Sequence, residues 1–287
     1  MTARPVLAAT DGSPQSLAAV RWAADEAVRR GTALRLVHVW PRPVGIYLDQ
    51  LQQEGAELLA HVAEEAGGRH PELDVETALL GAAPLEGLLD AAADGALLVL
   101  GSRGLGGFKG LLVGSVSLAV AGRSPVPVVV LRPESAVVED RLPDRTGDVL
   151  VGVGAGAHAD EVLEFTFSRA RERGARVVAV HGWDVPTVWA PPGTMVTPID
   201  PAALASAARE TLDQALDPWQ AKYPQVPVLA RTEVGGAAKA LVDASDGVDL
   251  VVIGRRIRKH ATGAHLGPTA HAVLHHAHAP VAVVPHH

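Results

Sequence analysis

The chain of 287 residues has no cysteine, a formal charge of −7 at neutral pH, and 48% hydrophobic against 3% aromatic residues. Such an apolar share supports a packed core and excludes whole-chain disorder, while the missing thiols exclude disulfides, thiolate zinc sites, iron–sulfur clusters and a cysteine nucleophile. The acidic balance argues against a nucleic-acid partner, and neither a signal-peptide apolar stretch nor an uncharged run of the roughly 18–20 residues of a membrane span is found, so a cytoplasmic protein with no membrane partner is expected.

In chain order, residues 6–10 form a β-branched and apolar run that predicts a strand. Ser13 offers an N-cap oxygen, Pro14 suits the first helical position, and Leu17, Val20, Ala24, Ala27 and Val28 keep helical spacing until Gly31 supplies a stop. Further strands are expected at 34–39, 73–79, 96–100 and 126–131, with helices at about 48–66, 84–93 and 115–121. This alternation predicts a parallel sheet with helices on both faces, and right-handed crossovers favour a doubly wound order 3-2-1-4-5.

The pattern then repeats. Val6-Leu7-Ala8-Ala9-Thr10-Asp11-Gly12-Ser13 is matched 143 positions later by Val149-Leu150-Val151-Gly152-Val153-Gly154-Ala155-Gly156, with Gly31 on Gly174, His38 on His181 and Trp40 on Trp183. Towards the end of each copy the offset is 153, placing Gly101 on Gly254, Gly114 on Gly267 and Pro127-Val128 on Pro280-Val281. The extra residues fall in the proline-rich stretch 184–201. Two tandem α/β domains are therefore expected, at 1–133 and 148–287, joined by a charged, Pro- and Gly-containing linker at 134–147. Their equivalent last strands, 126–131 and 281–284, are candidates to pair within the chain, with homodimerisation as a further possibility.

In a doubly wound sheet, ligands bind beyond the carboxyl ends of the strands where the order reverses, here between the first and fourth strands. Two loops emerge there: Thr10-Asp11-Gly12-Ser13, and the glycine-rich 101–110, which is longer than the ~2–6 residues usual between a strand and a helix. The second leads to Gly114-Ser115 at a helix start, where unpaired N–H groups favour an anion. Phosphate binding is the favoured reading over a plain flexible connection. Arg103 would add a charge-assisted contact, and Asp11 would accept from a ribose hydroxyl or hold a divalent cation. The loop is neither a Walker A motif nor a dinucleotide fingerprint, because no Gly-Lys-Ser/Thr ends it and Gly104 opens Gly-x-Gly-x-x-Lys.

The spacing Gly101-x2-Gly104-x9-Gly114-Ser115, the opening Val-Leu-Ala-Ala-Thr-Asp-Gly-Ser and the closing Ser-Pro-Val-Pro-Val-Val-Val together resemble the universal stress protein family, in both halves. The resemblance implies an α/β ATP-binding domain that dimerises largely through its last strand and acts in stress adaptation or dormancy. It implies that Asp11 meets the ribose and phosphates, with Mg²⁺ accompanying the ATP. Backbone at Ala9, Thr10 and Val39 would flank the adenine. Leu100, Gly101, Arg103 and Gly104 would line the site, and Gly114, Ser115, Val116 and Ser117 would hold the phosphates. A nucleotide-dependent regulator or adaptor, not an enzyme, is the expected role. Slow ATP hydrolysis or nucleotidyl transfer is the alternative, disfavoured because no His or carboxylate in 101–117 offers a general base.

The second copy departs from the motif. Gly154 stands for Asp11, Ile257 for Gly104 and Pro268 for Ser115, so weak or absent nucleotide binding is expected there. Gly152-x-Gly154-x-x-Ala157 fits a dinucleotide turn, but the acid expected about 20 residues on is missing. The basic run Arg255, Arg256, Arg258, Lys259 and His260 reads first as a solvated loop, and His271 with His275 as surface histidines ahead of a metal pair. His38 and His181 end second strands, as capped or core imidazoles.

Overall fold

The computed structural model describes residues 3–41, 48–105, 112–132, 147–154, 160–184, 200–257 and 266–287. The first half runs β1 (Val6–Ala9), α1 (Pro14–Arg30), β2 (Leu34–Trp40), α2 (Leu48–Arg69), β3 (Val75–Gly81), α3 (Pro84–Ala92), β4 (Leu97–Gly101), α4 (Ser115–Arg123) and β5 (Val128–Leu131). The second half repeats it as β6 (Val149–Gly152), α5 (Asp160–Arg173), β7 (Val177–Trp183), α6 (Pro201–Lys222), β8 (Val228–Val234), α7 (Ala237–Asp243), β9 (Leu250–Arg256), α8 (Pro268–His276) and β10 (Val281–His286). Apart from Gly147, the expected linker 134–147 lies outside the described residues, as do most of 184–201.

Local chemistry explains the boundaries. Ser13 caps α1 by accepting the Ser16 N–H, Pro14 occupies the first turn, and Gly31 closes the helix at φ 60°, ψ 41°, a left-handed conformation that glycine adopts without a Cβ penalty. Gly174 repeats that φ, at 61°, after α5. Two strands start two residues later than their apolar runs. A turn in which Leu73 N–H donates to His70 O delays β3 to Val75. Before β5, Ser124 Oγ accepts the Val126 N–H and donates to Val126 O, which holds the chain in a turn until Val128.

Each half has the expected strand order, and the two halves join into one ten-stranded sheet, β3-β2-β1-β4-β5-β10-β9-β6-β7-β8. All neighbours within a half are parallel. The seam is antiparallel, with Val281 opposite Val130, Ala282 opposite Val129 and Val283 opposite Val128. Pairing the last strands across an approximate two-fold axis removes two sheet edges and makes each core continuous. On one face α1, α2, α5 and α6 cover Val6, Ala8, Val99, Val151 and Val252; on the other, α3, α4, α7 and α8 cover Leu7, Leu98, Leu150 and Val251. Arginines tie the seam from both sides: Arg132 donates to Ala277 O at 2.7 Å and Arg255 to Ser124 O at 2.5 Å, each capping the C-terminus of the other half's helix.

Candidate functional site

The site is built where β1 and β4 diverge. β1 ends at Ala9, and the turn after it is held from within. Thr10 Oγ1 accepts the Gly12 N–H and lies 3.1 Å from Ser16 Oγ, while Ser16 Oγ accepts the Asp11 N–H at 3.3 Å and donates to Ser13 O at 2.9 Å. Gly12 sits at φ 80°, with Leu58 of α2 beneath it, so a side chain there would be strained. His38 Nδ1–H donates to Thr10 O at 2.7 Å, anchoring the turn to the end of β2. The expected capped imidazole is found, and its ring orientation follows from that acceptor.

β4 reaches the same place because Gly101 has no side chain. A Cβ there would lie 2.7 Å from the carbonyl carbon of Gln15 in the first turn of α1. The chain then turns away from the sheet. Ser102 N–H still donates to Leu131 O, but Leu105 N–H donates to Asp11 Oδ2 at 2.9 Å. At Gly104 any Cβ would collide with that same carboxylate oxygen. Residues 106–111 lie outside the described residues. On its return the chain bonds Gly114 N–H to Ser102 O and enters α4, whose N-cap Gly114 (φ −77°, ψ 157°) provides no side-chain cap. The first-turn N–H groups of Ser115, Val116 and Ser117 therefore have no side-chain acceptor at the cap.

Of the residues expected to bind nucleotide, Thr10, Asp11, Gly101, Arg103, Gly104 and Gly114 come together at this corner, with Ser115, Val116 and Ser117 in the first turn of α4. Ala9, Val39 and Leu100 lie on the sheet face covered by α3 and α4, Leu100 being buried and the other two partly so. Val116 is exposed. Ser117 Oγ is already engaged, donating to Gly101 O at 2.8 Å, so its hydroxyl ties helix to strand and its N–H is what faces the helix start. Sequence reasoning missed Ser16, the hub of the first turn, and the Leu105 N–H; the first was visible three residues after the cap, whereas the second requires a contact across 94 positions. It also passed over Ser102, fully buried with an unpartnered hydroxyl.

Asp11 is the electrostatic centre. Burial by itself would raise its pKa, but hydrogen bonds from the Ser13 side chain and from the Leu105 and Ser13 N–H groups outweigh burial and hold the carboxyl below its usual range. At neutral pH it is a carboxylate whose oxygens bridge the two loops.

Among the described residues, the second half repeats the scaffold without the bridging carboxylate. His181 Nδ1–H donates to Val153 O at 2.7 Å, as His38 does to Thr10 O. Gly154, however, brings no carboxylate, and β9 continues through Arg256 where β4 has stopped. Its pairing with β10 runs to Arg256 opposite His286, and Ile257 N–H donates to His286 O. The His286 ring lies over Gly254, 3.0 Å from where a Cβ would be. Pro268 begins α8 without an N–H. Arg255, expected on a solvated loop, instead lies buried in β9 with its guanidinium in the seam, because strand pairing extends over this stretch. Arg258, Lys259 and His260 lie outside the described residues, as do Ala155, Gly156 and Ala157. His271 and His275 stack at 4.5 Å; burial, then His271, His276 and Arg132, pushes the His275 pKa down. Among the described residues no three His, Asp or Glu side chains are placed to share a metal ion, and no helix is long and apolar enough to cross a membrane.

Fold and repeat together define a tandem, doubly wound α/β protein. The model of the universal stress protein family matches residues 2–132 and again 146–285, and the chain belongs to that family. A universal stress protein of Mycobacterium tuberculosis is 32% identical over 293 residues, covering 97% of this chain and 96% of its own. A second from the same organism is 32% identical over 291 residues, covering 97% and 95%. Among solved structures, a universal stress protein from Archaeoglobus fulgidus superposes with a TM-score of 0.73 over 99% of both chains at 21% identity, a likeness of fold.

Proposed function

We propose that the first half binds ATP at the β1/β4 corner and that the protein acts as a nucleotide-dependent regulator or adaptor in stress adaptation or dormancy. One observation carries the proposal: Asp11 bridges the two switch-point loops beside the uncapped start of α4, an arrangement that among the described residues is found in the first half alone. The first-turn N–H groups suit phosphates, Arg103 adds positive charge, and the anionic Asp11 suits a ribose hydroxyl or the Mg²⁺ that accompanies the triphosphate. Backbone at Ala9, Thr10 and Val39 would flank the adenine, beside Leu100, Gly101 and Gly104. The role is binding, not turnover. Asp11 is engaged by two N–H groups and held acidic, which makes it a poor general base near neutral pH.

ATP would bias the molecule only through a difference in affinity between two of its states. A cytoplasmic location, where ATP is available, belongs to the same proposal, with 1–133 and 148–287 as the two domains. Since β5 and β10 pair with each other, a homodimer of chains would use other surfaces. Mass spectrometry of ligand released from freshly purified protein, followed by calorimetric titration with ATP, tests the proposal. One ATP per chain, retained without ADP formation over hours, is expected. No bound nucleotide and no affinity would remove it, and more than one ADP formed per chain over those hours would favour the slow hydrolase.

A further inference from the structure

The two halves meet a second time, away from the sheet seam, where α1 packs beside α5. Glu26 of α1 is 1% exposed, an unusual place for a carboxylate without partners. Its Oε1 accepts from Arg169 at 2.7 Å and from Arg30 at 2.9 Å, and its Oε2 accepts from Arg173 at 2.8 Å and Arg29 at 3.1 Å. Arg169 also bonds Glu172 at 2.6 Å. Two aromatic rings complete the contact, Arg173 lying 5.3 Å over Trp22 and Arg169 5.5 Å over Phe165.

Set on the repeat, these residues are one another's counterparts. At the 143-residue offset Trp22 corresponds to Phe165, Glu26 to Arg169, Arg29 to Glu172 and Arg30 to Arg173. Glu26 and Arg169 therefore occupy the same position of the repeat and touch across the approximate two-fold axis. Any position that meets its own counterpart in this way would, in a pairing of two identical halves, meet an identical side chain. Two first halves would bring Glu26 against Glu26, and two second halves Arg169 against Arg169. The flanking Arg29, Arg30, Glu172 and Arg173 keep the net charge of the cluster the same in every pairing, so what changes is the buried contact on the axis, a bonded opposite pair in the mixed case and a like pair in the others. Opposite charges there are favourable only as a well-bonded pair, and like charges are strongly unfavourable.

We infer that the α1/α5 face is a recognition surface that selects unlike halves: a first half accepts a second half, and neither accepts a copy of itself. The seam strands cannot make this distinction, because β5 and β10 present Val128, Val129 and Val130 against Val281, Ala282 and Val283, all apolar. The charge pair supplies the selectivity that the strands lack, as unlike charges at equivalent positions do in other self-similar interfaces. The duplicated chain thereby keeps one intact and one altered corner within the same pair of halves.

The test separates pairing from covalent connection. A protease site is inserted within residues 134–146 of the full-length protein and cut after folding. The cut protein is then diluted and incubated until the halves have exchanged partners, and the assemblies are followed by native mass spectrometry. Wild type and the reversal E26R/R169E are expected to give complexes of a first with a second half and none of like halves. R169E alone is expected to lose the mixed complex by about tenfold or more at equal concentration. Should R169E fail to fold, R169Q takes its place, with a smaller loss expected. Like-half complexes of wild type in statistical amounts would overturn the inference. So would a reversal that pairs no better than R169E, or an R169Q that pairs as well as wild type.

Discussion

The corner after β4 and the corner after β9 start from the same register beside the same kind of strand, yet one opens into a loop and the other stays in the sheet. After Gly101 only one further N–H, that of Ser102, is satisfied by β5. After Gly254 the longer β10 offers Pro285 and His286, and β9 uses both before Ile257 closes on His286 O. Backbone groups near a core need partners. In the second half the neighbouring strand supplies them. In the first, Asp11 supplies one to Leu105, and the chain is free to turn towards α4. The geometry of this corner thus depends on where the fourth strand stops, and the stop is set as much by its neighbour as by its own glycines.

The largest effect expected from breaking this difference is at Gly101. Gly101→Val places side-chain atoms against the Gln15 backbone, which cannot move without moving α1, and is expected to cost ~1–3 kcal/mol of stability and to abolish ATP binding in calorimetry. Gly254→Val meets side chains, His286 and Val162, and is expected to cost less and leave ATP affinity unchanged. If Gly101→Val retained ATP, the corner would be the wrong place for the site.

Asp11→Ala is expected to weaken ATP binding by about tenfold or more, since a charged acceptor and the bridge to Leu105 are both lost. The converse substitution, Gly154→Asp, is expected to create no second ATP site, because Ile257 and Pro268 remain. A titration reaching two ATP per chain would erase the contrast between the halves.

Acid tests the pairing of the halves. Burial would raise the Glu26 pKa, but Arg173, Arg30, Arg169 and Arg29 outweigh it and push the group far below its ordinary 4.5. A carboxyl lowered on folding stabilises the folded state above its unfolded pKa, and that stability is lost as pH falls from there towards the folded value. Thermal melts are therefore expected to show a stability decline below about pH 4.5 that is shallower in Glu26→Gln, which is less stable than wild type at neutral pH. Parallel acid limbs in the two proteins would remove Glu26 as a source of the decline.

The smallest effects are expected at the histidines. His38→Ala and His181→Ala each remove one hydrogen bond to a turn carbonyl and are expected to lower stability by about 1 kcal/mol each. Only the first should alter ATP affinity, because only its turn carries Asp11. Equal effects on ATP from both would show that the two turns are not distinct.

Much was legible in the chain alone because it rests on neighbours a few residues apart. Ser13, Pro14 and Gly31 delimit α1 through a cap, a fixed φ and a left-handed turn, and the 143-residue offset exposes the duplication. The parallel order of each half follows from alternation and crossover handedness. Gly101, Gly104 and Gly114 point to the corner, although their reasons differ: Gly101 yields to the backbone of α1, Gly104 to the Asp11 carboxylate, and Gly114 begins a helix.

The tertiary structure decided what depends on distant partners. That Ser117 spends its hydroxyl on Gly101 O, that β9 runs on to Arg256, and that Arg255 enters the seam instead of solvent all follow from which strand edge lies alongside. The same holds for Glu26 and Arg169, each an ordinary charged residue on a helix until the fold sets them 2.7 Å apart. Sequence determined the elements and their duplication because hydrogen bonding and side-chain periodicity act locally. Only the packed sheet could determine the pairing of the halves and how far β9 runs beyond the point where β4 stops, because those rest on contacts between residues far apart in the chain.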